Sequence, residues 1–146
     1  MAQSPPEGFP RMTPYLIYND VSAALDWLAK AFGFDQRMSM PGPDGKIMHA
    51  EMQIADAVIM MGPPSDEAET KSPQDLSAVN QSVFCFVDDV DAHYEQAKRA
   101  GATITSEPAD MFWGDRTCVL EDLEGHRWTF AKKVRDVAPE DMAPPA

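Results

Sequence analysis

The sequence predicts an α+β fold in which a βαβββ unit occurs twice, and three observations predict it. Apolar residues recur with helical spacing in two stretches, DVSAALDWLAKAFGF and DVDAHYEQAKRAG. Each stretch is preceded by one extended run and followed by three. Shifting the first half by 69 residues places Asp20 on Asp89, Val21 on Val90, Ala23 on Ala92 and Ala31 on Ala100. The same shift sets Asp26 against Glu95 and Lys30 against Arg99. Local identity of this kind, joined to the same order of elements, marks an internal repeat.

The first module is expected over residues 12–62. It opens with the extended run TPYLIYND. In the helix that follows, Val21, Ala24, Leu25, Leu28 and Phe32 share one face. Asp20 or Ser22 can cap its start and Gly33 can end it. Three extended segments come next, at Gln36–Met40, Ile47–Ile54 and Ala57–Met61, separated by PGPDG and by a tight turn at Ala55 and Asp56. The second module, residues 81–133, repeats the order. SVFCFVD is a strand, Val90, Tyr94 and Ala97 form the helix face, and Gly101 ends the helix. ATITSE, DRTCVLE and HRWTFAK are the closing strands, with DLEG as the turn between the last two. Residues 1–11 and 134–146 are rich in Pro, Ala and acids and read as flexible tails. The polar stretch 63–80 reads as a linker.

Composition narrows the function. The net charge is -12. A chain this acidic repels phosphate backbones and anionic membranes, which argues against nucleic-acid or membrane partners. No apolar run has the length of a transmembrane helix, and the N-terminus lacks the apolar segment of a signal peptide. A soluble, cytoplasmic protein is expected. The two cysteines, Cys85 and Cys118, lack CxxC spacing and read as buried free thiols.

Paired βαβββ modules carrying DVSAALDWLAKAFGF and DLEGHRWTFA resemble the vicinal oxygen chelate superfamily of glyoxalases, bleomycin resistance proteins and extradiol dioxygenases. FWGDR, followed by an acidic turn and GHRW, is similar to its PhnB-like branch. The resemblance covers roughly residues 12–133. It implies two curled mixed sheets around a cavity with the helices outside, and a homodimer. In metal-dependent members, one ligand comes from the first strand and one from the last strand of each module. The resemblance carries those positions to Thr13 and Ser82 on the first strands and to Met60 and Thr129 on the last. Catalytic metals take about three strong donors from His, Cys, Asp and Glu. Hydroxyl and thioether groups are poor substitutes. No metal and no other cofactor is therefore expected, which puts the chain nearer the bleomycin-resistance type.

Strand alternation sorts the remaining side chains. If Thr13 faces the cavity, Tyr15 and Ile17 do too; Ser82 brings Phe84 and Phe86, and Met60 brings Val58. The turn at Ala55 and Asp56 pairs Glu51 with Met60 and Gln53 with Val58, so His49, Glu51 and Gln53 join that face. In the second module the DLEG turn is expected to pair Glu121 with His126 and Cys118 with Thr129. That register turns Arg116, Cys118, Leu120, Arg127 and Thr129 inward and sends Trp128 and Phe130 toward the helix. Trp113, beside Gly114, reads either as a residue near the cavity mouth or as a packed loop anchor. His93 reads as an exposed helix residue and His126 as a hairpin residue.

The expected ligand-binding set is Tyr15, His49, Glu51, Met60, Phe84, Phe86, Trp113, Arg116 and Cys118, with no catalytic residue assigned. The favoured function is a metal-independent binding protein that sequesters a small molecule such as an antibiotic or metabolite. The ligand would be oriented by Glu51 and Arg116. The alternative is a lyase, isomerase or dioxygenase working from a non-standard site around His49 and Glu51.

Overall fold

Two aspartates start the two helices. The carboxylate of Asp20 accepts from the Ala23 N–H at 3.0 Å, and that of Asp89 accepts from Ala92 at 3.1 Å. These caps satisfy backbone donors that a helix start leaves unpaired. They open α1 (Val21–Phe32) and α2 (Val90–Arg99). Gly33, at φ 73°, closes α1 in the left-handed region that favours glycine.

The computed structural model describes all residues, 1–146. The chain divides into two units, Met1–Ala78 and Val79–Ala146. The first contains β1 (Tyr15–Ile17), α1, β2 (Asp35–Pro41), β3 (Ile47–Ile54) and β4 (Ala57–Gly62). The second contains β5 (Ser82–Phe86), α2, β6 (Thr103–Asp110), β7 (Asp115–Glu121) and β8 (Arg127–Lys133). Each unit is a four-stranded mixed sheet, ordered β1-β4-β3-β2 and β5-β8-β7-β6, and neither sheet closes on itself. The first strand of each unit pairs parallel with the last. Tyr15 lies beside Met60 and Phe84 beside Thr129, pairs that are 69 residues apart in the chain. The repeat read from the sequence is thus a repeat of register as well.

Each helix covers one face of its own sheet. Leu16, Ala50, Met52, Ile59 and Met61 are buried with Ala24, Leu25, Leu28 and Phe32 of α1. In the second unit, Cys85, Cys118, Leu120, Trp128 and Phe130 are buried with Val90, Tyr94 and Ala97 of α2. The alternation of buried and open positions follows the two-residue period of a strand. No helix is long and apolar enough to cross a membrane.

The β3–β4 turn has the expected register, with Glu51 opposite Met60 and Gln53 opposite Val58. The β7–β8 turn does not. Glu121 pairs with Arg127 instead of His126, and Cys118 with Phe130 instead of Thr129. The cause is Asp122. Its Oδ1 accepts from the N–H groups of Glu124 and His126, both at 3.0 Å, and its Oδ2 accepts from Trp128 Nε1 at 3.0 Å. These bonds draw His126 into the loop. A slip of one residue turns a strand's side chains to the opposite face. Arg116, Cys118 and Leu120 therefore lie on the helix side. Arg127 and Thr129 stay on the face opposite α2, as expected, and Trp128 and Phe130 stay in the core.

Parts of the expected tails and linker are tied down. Val134 and Arg135 donate backbone N–H groups to the Gly114 carbonyl, and Arg135 Nη2 donates to the carbonyls of Met111 and Phe112. Asn19 Nδ2 donates to Gln74 Oε1 and Asp75 Oδ2, and Ser72 is fully buried.

Candidate functional site

On the first sheet, the face opposite α1 carries a continuous run of polar side chains. Tyr15 Oη lies 3.0 Å from His49 Nδ1, and His49 Nε2 lies 3.3 Å from Glu51 Oε1. Glu51 Oε2 is 3.9 Å from Arg37 Nε, and Arg37 Nη1 donates to Gln53 Oε1 at 3.0 Å. The run draws its residues from β1, β3 and β2 and spans all four strands, because the ladder sets Tyr15 beside Met60, Met60 beside Glu51 and Glu51 beside Met38. Partial burial raises the Tyr15 phenol above its ordinary pKa and keeps its proton in place. Gly62 makes room for that phenol: a Cβ there would stand 2.6 Å from Tyr15 Oη and 3.1 Å from the Met48 carbonyl.

Apolar groups surround the polar run. Met38 and Met40 share its face and are open to solvent, with Met60 between the strands. A recess of about 550 Å³ adjoins Arg37, lined also by Gly8, Phe9, Gln53, Asp56 and Val58. The Phe9 ring lies under the Arg37 guanidinium, 4.8 Å from its centre, and the Gly8 carbonyl accepts from Arg37 Nη1 at 3.4 Å.

The second sheet offers a different surface. Phe84 and Phe86 stand on the face opposite α2, edge to face at 5.3 Å. Their ladder partners are Thr129 and Ala131, and these pair in turn with Val119 and Thr117. In the first unit the residue beside Met60 is Glu51; in the second the residue beside Thr129 is Val119. The residues 69 positions beyond His49 and Glu51 are Cys118 and Leu120, both buried, so this face has no counterpart of that pair.

Three expected site residues stand elsewhere. Arg116 grips α2: its Nε and Nη2 each donate to Asp91 at 2.9 Å, and its Nη1 donates to Asp110 at 3.1 Å. This fork holds the Asp91 carboxyl below its ordinary pKa, and the two aspartates raise that of Arg116. The guanidinium nearest Glu51 is Arg37, not Arg116. Cys118 is fully buried beneath α2, and that burial raises its thiol pKa. It faces the core. Trp113 is a packed anchor, its Nε1 donating to the buried Asp115 at 2.9 Å and its ring edge-on to Phe112. His93, expected in solvent, lies 4.1 Å from the Phe130 ring, and burial pushes its pKa down to about 4. Of the expected set, Tyr15, His49, Glu51 and Met60 come together on the first sheet, and Phe84 and Phe86 stand together on the second.

Arg37 escaped the sequence reading. It lies at a register irregularity between Gln36 and Met38, where alternation no longer says which way a side chain points.

The sequence matches the family model described as Glyoxalase/Bleomycin resistance protein/Dioxygenase superfamily over residues 9–130. This chain belongs to the glyoxalase/bleomycin resistance protein/dioxygenase superfamily. A Mycobacterium bovis protein named only as uncharacterised is 33% identical over 136 residues, covering 91% of this chain and 90% of its own length. Among solved structures, TioX from Micromonospora sp. ML1 is 33% identical, with a TM-score of 0.68 over 84% of this chain and 98% of TioX. A superfamily enzyme from Burkholderia phytofirmans PsJN shares the fold at 19% identity, with a TM-score of 0.66 over 82% of this chain and 95% of its own.

Membership in this superfamily raises the question of a metal, and the donor chemistry answers it. Thr13, Met60, Ser82 and Thr129, to which the family resemblance carries the metal-ligand positions, offer three hydroxyls and a thioether. Such a set does not fit a catalytic transition metal. His49 and Glu51 are bonded to each other, and no group of three or more His, Cys, Asp or Glu side chains is placed to hold a metal ion.

Proposed function

We propose that this chain is a metal-independent small-molecule-binding protein of the glyoxalase/bleomycin-resistance type, from its PhnB-like branch, that sequesters a metabolite or antibiotic. One observation carries the reading: aromatic side chains stand open on the sheet faces opposite the helices. Tyr15 is 49% exposed, Phe84 50% and Phe86 62%. Covering what remains open of one such ring removes on the order of 100 Å² from water, a gain of roughly 2–3 kcal/mol. A flat, partly apolar ligand supplies that cover, and the polar run beside Tyr15 orients it. The same reading carries a cytoplasmic homodimer, for which sedimentation at high micromolar concentration is the check.

A thermal-shift screen of aromatic metabolites and antibiotics tests the function. A ligand that raises Tm, by the same amount before and after chelator dialysis, is the expected result. Stoichiometric zinc, nickel or iron, lost when Thr13, Met60, Ser82 and Thr129 are replaced, overturns it.

The Tyr15–His49–Glu51 contacts favour a second reading, an acid–base lyase or isomerase. His49→Gln separates the two. A binder keeps most of its ligand affinity in that variant, and an enzyme loses turnover.

A further inference from the structure

The imidazole of His49 touches a different group at each nitrogen, and this fixes where the protons lie. On the Nε2 side stands Glu51, whose second oxygen faces Arg37 at 3.9 Å. Between an imidazole and a guanidinium, the Glu51 carboxylate is the accepting partner of both contacts. His49 Nε2 must therefore carry a proton. With that proton on Nε2 alone, Nδ1 is an acceptor, and the Tyr15 phenol donates to it across the 3.0 Å contact. With its hydrogen committed to His49, the Tyr15 oxygen has only lone pairs left to offer. The hydroxyl stays in register because Gly62 leaves it space and β1 holds Tyr15 beside Met60.

Soft apolar groups border this polar row. Met38, Met40 and Met60 flank the Tyr15–His49–Glu51 row. Thioethers adapt to flat aromatic surfaces and contact them favourably.

From this geometry we propose that the face binds a flat aromatic molecule carrying an N–H or O–H group, which donates to Tyr15 Oη, and that it discriminates against isosteres lacking that hydrogen. The proposal rests on the small-molecule-binding reading and gives it a ligand class. Selectivity of this kind is steep where a site presents only one sense of hydrogen bonding, because the wrong ligand leaves a polar atom unpaired.

The test uses the full chain with indole and 1-methylindole as probes, followed by amide NMR shifts near neutral pH. Indole is expected to bind about five-fold tighter than 1-methylindole, as one hydrogen bond implies. Tyr15→Phe should equalise the two without abolishing the weaker, apolar binding. A ligand-free measurement stands beside it: imidazole ¹⁵N shifts should give His49 as the Nε2-protonated tautomer. Equal affinities in the unaltered chain, no binding of either probe, a preference that survives Tyr15→Phe, or an Nδ1-protonated His49 would each overturn the proposal. The broader binding reading fails separately, if no compound in the thermal-shift screen binds at all.

Discussion

Replacing Asp122 by alanine tests what sets the second module's register. The substitution removes the acceptor of three hydrogen bonds, each 3.0 Å long. The Trp128 indole that donates one of them is fully buried, so the substitution leaves its N–H unpaired in the core. Losing that acceptor costs roughly 1–3 kcal/mol. The amides of Glu124, which is buried, and of His126, which is half-buried, together add about 1 kcal/mol. The total is roughly 2–4 kcal/mol, on the order of 10 °C in Tm for a chain of this size. Urea unfolding followed by tryptophan fluorescence and by circular dichroism reads it directly. Asp122→Asn keeps one acceptor oxygen and should fall between the wild type and Asp122→Ala. A change below about 0.5 kcal/mol in the alanine variant, the range of an ordinary surface substitution, would refute the role given to this carboxylate.

Other expectations follow from single contacts. Phe86→Ser should alter stability by less than about 0.5 kcal/mol, since the ring is open to solvent, yet weaken a ligand that the second sheet binds; unchanged affinity for every ligand found by thermal shift would show that this ring takes no part in binding. The Cys118 thiol should resist a disulfide reagent in the folded protein and react only on unfolding, and rapid native labelling would contradict its burial. His93, with its folded pKa pushed down to about 4, binds its proton more readily in the unfolded chain. Stability should therefore fall as pH drops from about 6.5 toward 4, by up to about 3 kcal/mol, and His93→Gln should flatten that part of the profile; an equal slope in the variant would assign the loss to other groups. Gly62→Ala should push the Tyr15 phenol off His49, seen as a shift of the His49 ring ¹⁵N resonances, and an unmoved spectrum would show that Tyr15 has other room.

The sequence by itself determined the number and order of the elements, the repeat and, for α1, a start at Asp20 or Ser22 and a stop at Gly33. These rest on local chemistry. Asp20 reaches a backbone donor three residues away, apolar spacing marks each helix face, and Gly33 alone tolerates the left-handed stop at little cost. The facing of β3 was equally legible, because a turn of only Ala55 and Asp56 leaves one register for Glu51 and Met60. The absence of metal donors at Thr13, Met60, Ser82 and Thr129 was legible too, since residue type alone decides it. Tertiary structure decided the rest. The indole that anchors Asp122 comes from the next strand, and only with that partner in place does the loop take in His126 and turn Arg116 and Cys118 toward α2. The irregularity beside Arg37 likewise breaks the two-residue period from which a side chain's direction is read, so the guanidinium beside Glu51 was Arg37. Alternation fixes faces only while the register is known. A register set by a buried side-chain hydrogen bond is settled when the strands meet, not before.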